Sequence, residues 1–104
     1  MTKIKILAAM IFALSPVSVY ANNHGEALAK KSGCLACHAV DKQVVGPSYQ
    51  AVAKKYKGNA KAEAMLISKV KNGGAGVWGQ IPMPPHAHVP DADIKAIVAW
   101  VLKQ

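Results

Sequence analysis

A chain of 104 residues with 52% hydrophobic side chains and a formal net charge of +8 has no room for two domains, a Rossmann fold with its cofactor, or a TIM barrel. Fifteen of the hydrophobic residues lie within residues 1–21, and beyond them the only aromatics are Tyr49, Tyr56, Trp78 and Trp100. What remains is a basic unit of 83 residues, small enough to need a staple such as a disulfide or a metal.

Residues 1–21 read as a cleaved signal peptide. Lys3 and Lys5 form a positive start, residues 6–14 an apolar run, and Ser15 with Pro16 breaks it before the small-residue cleavage site Val19-Tyr20-Ala21. The run falls short of the roughly 17–25 apolar residues of a membrane helix, and no Cys stands just after the site for lipid attachment. Cleavage after Ala21 leaves Asn22 first and places residues 22–104 as one domain in a bacterial periplasm, where paired cysteines are permitted to oxidise.

The rest of the chain reads as all-α. Asn23 with Glu26 has capping-box spacing for a first helix that stops at Gly33. A second is expected over residues 48–57, ended by Gly58, and a third over residues 60–72, capped by Asn59 and stopped by Gly73-Gly74. Ile94, Ile97, Val98, Val101 and Leu102 make one apolar stripe on a last helix over residues 91–103. Residues 41–47 and the Gly/Pro-rich residues 73–90 fit neither helix nor strand, and a loop as long as the second tends to be functional.

All 13 basic residues are Lys. The absence of Arg weighs against nucleic acid, which favours bidentate guanidinium contacts, and points to an acidic protein partner. Lys42, Lys54, Lys55 and Lys57 cluster in sequence, either as a solvated face or as part of a docking rim.

Cys34-Leu35-Ala36-Cys37-His38 carries the chemistry. Cys-x-x-Cys-His is the c-type haem attachment signature, in which two thiols add to the porphyrin vinyl groups and the adjacent His reaches the iron. A dithiol redox pair would call for a βαβ context and a structural zinc for four ligands; the pattern offers neither. The second axial ligand is assigned to Met83, set in Ile81-Pro82-Met83-Pro84-Pro85, where prolines forbid a regular element. Met65, at helical spacing from Ala62, Leu66 and Lys69, reads as core filler. His24 and His88 read as solvated.

With these motifs in hand, the sequence resembles small bacterial class I cytochromes c, mono-haem proteins with His/Met ligation and a short Met loop. The matching stretches, at residues 33–39, 44–47, 72–85 and 100–102, span essentially the whole of residues 22–104. The resemblance implies four to five short helices around one covalently bound haem c with its iron, the first and last helices crossing. The function it implies is that of a soluble periplasmic electron carrier in a respiratory chain, not an enzyme. It also implies that the Pro47 carbonyl accepts from His38 Nδ1, and that Trp78 donates its indole N–H toward a haem propionate; a turn proline and a core Trp are the plain alternatives. Where relatives carry an amide able to donate to the axial sulfur, this chain has His86, either such a donor or a solvated loop residue. Pro90 stands where a Ser cap is usual, leaving Asp91 as the cap or Pro90 as the first helical residue.

The partners implied are periplasmic redox proteins such as nitrite reductase, peroxidase, terminal oxidase or their donors, met by a monomer with no stable membrane insertion. A haem enzyme or gas sensor would need an open distal side with acid/base groups, for which only His86 and His88 are available.

Overall fold

The computed structural model describes residues 17–104, with side chains from His24 onward; residues 1–16 of the expected signal peptide lie outside the described residues. Helix α1 spans Val17–Lys31, α2 Tyr49–Lys55, α3 Ala62–Asn72 and α4 Asp91–Val101, with a 3₁₀ turn at Cys34–Ala36. No strand forms among the described residues, only the isolated bridges His38–Gln43 and Gly74–Met83.

Helix α4 organises the rest. It packs on α1, α3 and α2, and its expected stripe is the core: Ile94, Ile97, Val98 and Val101 are buried, with Ile94 fully enclosed. One side of the stripe meets Ala29, Cys34, Tyr49 and Val52, together with Trp100. The other side meets Val89 and, half-buried, Leu66, Ile67 and Val70. The first and last helices approach closely at Gly25, where a Cβ would strike the Trp100 Cβ and lie 2.7 Å from the Ala96 carbonyl oxygen. Any larger residue there would push α1 off α4.

Helix ends differ from the expected caps at three places. Asn23 lies inside α1, which begins at Val17, because in the full chain the preceding residues continue the helical hydrogen bonding. Asn59 accepts from Lys61 N at 2.9 Å and so holds a turn ahead of α3, which starts two residues later than the pattern suggested. Pro90, in extended geometry at φ −57° and ψ 142°, occupies the cap position of α4 without a side-chain bond. Asp91 is the first helical residue and pairs instead with Lys71 at 3.0 Å, its charge also suiting the helix N-terminus. At α2 the Ser48 hydroxyl accepts from Ala51 N at 3.1 Å, an ordinary N-cap.

Candidate functional site

Gly33 ends the turn after α1 at φ 80°, a left-handed conformation that glycine adopts without strain. The chain then tightens into the 3₁₀ turn, with Cys37 N and His38 N both donating to the Cys34 carbonyl at 3.2 and 3.1 Å. That one turn brings Cys34, Cys37 and His38 to the wall of a single cavity. The two cysteines are not joined to each other. Cys34 is buried, and burial pushes its thiol above the ordinary range.

His38 is held from several directions. Residues 38–47 fold back so that Val45 N and Gly46 N donate to the Cys37 carbonyl at 3.1 and 2.7 Å. This brings the Pro47 carbonyl to 2.8 Å from His38 Nδ1; a carbonyl only accepts, so Nδ1 carries the proton and, in the neutral ring, Nε2 keeps its lone pair. Tyr49 stacks on the imidazole at 5.2 Å between centroids and 21° between planes, and Trp100 meets Tyr49 edge-on at 5.2 Å and 74°. Gly46 runs so close that a Cβ would strike the His38 ring.

Met83 comes from the loop over residues 73–90. Its N–H donates to the Gly74 carbonyl at 2.8 Å, and Gly74 N donates back to the Met83 carbonyl at 3.1 Å. Gly73 turns the chain out of α3 at φ 73°, with the Met83 carbonyl against its α-carbon. Met83 and Trp78 line the same cavity as Cys34, Cys37, His38 and Pro47. Trp78 lies in that lining with the Lys55 ammonium 5.5 Å from its ring centroid. The same ammonium lies 5.9 Å from the Tyr56 ring.

Two further residues bear on the cavity and its loop. Met65 lines the same cavity, from α3. His86 directs Nδ1 to the Pro84 carbonyl at 3.0 Å and its ring toward His88, 5.9 Å away. The amide-like bond to the Met83 sulfur is not the one it makes here.

The residue the sequence reading passed over is Tyr49. It is 4% exposed, it stacks on the motif histidine, and its Oη is buried without a partner; desolvation pushes the phenol well above its ordinary range. A scarce aromatic two residues after Pro47 was the available signal.

The cavity measures about 380 Å³, within the size range of ligand pockets, and its lining is mainly apolar. Two thiols for attachment, with one imidazole of fixed tautomer and one thioether for the iron, are what a covalently attached His/Met haem uses, and the residues present fit that group.

The cytochrome c family model matches residues 23–104, from α1 to the end of the chain. The chain belongs to the cytochrome c family. Among its relatives, cytochrome c-551 of Allochromatium vinosum is 60% identical over 75 residues, covering 72% of this chain and 80% of the relative. Cytochrome c-552 of Nitrosomonas europaea is 48% identical over 92 residues, covering 88% and 89%. The crystal structure of wild-type Nitrosomonas europaea cytochrome c552 superposes with a TM-score of 0.73 at 50% identity, covering 75% of this chain and 96% of that one. The likeness is to small, helical, class I cytochromes c, as the motif pattern implied.

Proposed function

We propose that this cytochrome c is a one-electron carrier of the periplasm, made with a cleaved signal peptide of residues 1–21 and working as a domain of residues 22–104. The observation that carries the reading is the Cys34–Ala36 turn, which sets two thiols and an imidazole of fixed tautomer on the wall of a cavity that Met83 also lines. Haem c, joined to Cys34 and Cys37 with its iron held by His38 and Met83, supplies a ferric/ferrous couple when bound.

The chain's own residues set the terms of that couple. The Pro47 carbonyl fixes the His38 tautomer and raises its basicity, and Tyr49 restrains rotation of the ring. Met83 offers a neutral, soft sulfur, which favours the ferrous state and raises the potential. With His38 and Met83 both committed, no coordination position is left for a substrate, which suits a carrier and not an enzyme. Trp78 at the mouth can donate its indole N–H to a carboxylate at the haem edge.

Val44, Val45, Val77 and Ile81 are exposed apolar residues, and Val45, Val77 and Ile81 line the cavity. With lysines such as Lys55 nearby, this face suits transient contact between a monomer and an acidic redox protein, such as a nitrite reductase, a peroxidase, a terminal oxidase or one of their donors. Among the described residues no helix is long and apolar enough to cross a membrane.

A visible spectrum of the holoprotein tests the reading. A six-coordinate spectrum with a weak far-red sulfur-to-iron band in the ferric state, lost in Met83→Ala, is expected. A five-coordinate high-spin spectrum from the wild type would overturn it.

A further inference from the structure

We propose that the mature N-terminus is a copper(II) site formed by the amine of Asn22, the backbone nitrogens of Asn23 and His24, and His24 Nδ1. The proposal rests on the export reading, since only cleavage after Ala21 puts a free amine two residues ahead of a histidine. Four nitrogens in consecutive five-, five- and six-membered chelate rings impose the square-planar geometry that copper(II) prefers and nickel(II) accepts. Binding releases to solvent the two amide protons and the extra proton of the terminal ammonium, so the doubly charged ion, the neutral amine and two anionic amides make a neutral site and the basic charge of the protein does not oppose it.

The fold leaves this segment free to form the chelate. Inside α1 the amides of Asn23 and His24 are held by carbonyls four residues earlier. Removing residues 1–21 takes those acceptors away and leaves the first amides of the shortened helix without partners. His24 is exposed, whereas the next residue, Gly25, is the one pressed against Trp100 and the Ala96 carbonyl. Among the described side chains, the packing of α1 on α4 takes in Gly25, and His24 stands outside it. Among the described residues no three His, Cys, Asp or Glu side chains gather to hold a metal, so side chains alone offer no comparable site.

The test uses the exported, ferric holoprotein. Intact mass first establishes whether the chain starts at Asn22; copper(II), supplied as its glycine complex, is then titrated and followed by calorimetry and visible circular dichroism. One equivalent is expected to bind, with affinity reduced on the order of a hundredfold or more in His24→Ala and in a variant with one alanine inserted before His24, since each breaks the four-nitrogen plane. The double variant His86→Ala, His88→Ala should bind as the wild type does, and zinc(II), which prefers tetrahedral ligands, should not compete. A chain starting at Asn22 whose copper binding survives His24→Ala, or that binds no copper, overturns the site and leaves the export reading standing. A mass placing the start elsewhere overturns the site together with the cleavage point, and leaves the electron-carrier function untouched.

Discussion

The two walls of the cavity are built by different means. On the His38 side, residues 33–49 are cross-linked by backbone hydrogen bonds to Cys34 and Cys37, and the imidazole is bonded, stacked and hemmed in. On the Met83 side, a reciprocal backbone pair between Met83 and Gly74, the bond from His86 N to the Val70 carbonyl at 3.0 Å and the stiffness of Pro82, Pro84 and Pro85 hold the chain. One wall is fixed by contacts and the other by restricted backbone freedom. Damage to the first should therefore appear as lost packing, and damage to the second as a displaced loop.

The largest expected effect is on the contact-built wall. Tyr49→Ala removes the ring between His38 and Trp100 and should cost about 3–5 kcal/mol in denaturant unfolding of the holoprotein. A loss under 1 kcal/mol would show that the wall does not depend on that ring. Gly73→Ala comes next, on the other wall. A methyl group at φ 73° meets the Met83 carbonyl, so a loss of about 1–3 kcal/mol is expected together with weakening of the far-red sulfur-to-iron band; an intact band would show that the loop tolerates the shift.

Much of the site was legible because covalent logic is local: Cys34, Cys37 and His38 are neighbours in sequence, and Met83 is marked by its prolines. The α4 stripe was legible because several helices converge on it. The start of α1 was misread because capping residues compete with whatever chain precedes them, and Tyr49 was missed because its role exists only after residues 38–47 fold back. The ion pair of Asp91 with Lys71, joining positions 20 residues apart, has no local signature.

Smaller effects refine the contrast. Ser48→Ala removes the cap of α2 and should cost about 0.5–2 kcal/mol without moving the far-red band, since α2 supports the His38 wall. Lys55→Gln removes the ammonium between Tyr56 and Trp78. It should cost only about 0.5–1 kcal/mol, but hydrogen exchange should speed up at the amides of residues 77–80. Unchanged exchange there would mean that the cation does not hold the loop. The gentlest probe is salt: electron transfer to an acidic partner should slow as ionic strength rises, and a flat response would remove lysine steering from the account.

The partnership of Cys34 with Ile97, Trp100 and Val101 has a consequence for the order of assembly. Three of the residues clustered with the first thiol belong to the last helix, so a chain emerging N-terminus first presents residues 34–38 well before the cluster around Cys34 is complete. The attachment motif is thus open for modification while the polypeptide is incomplete, and arrival of the C-terminal helix ends that interval.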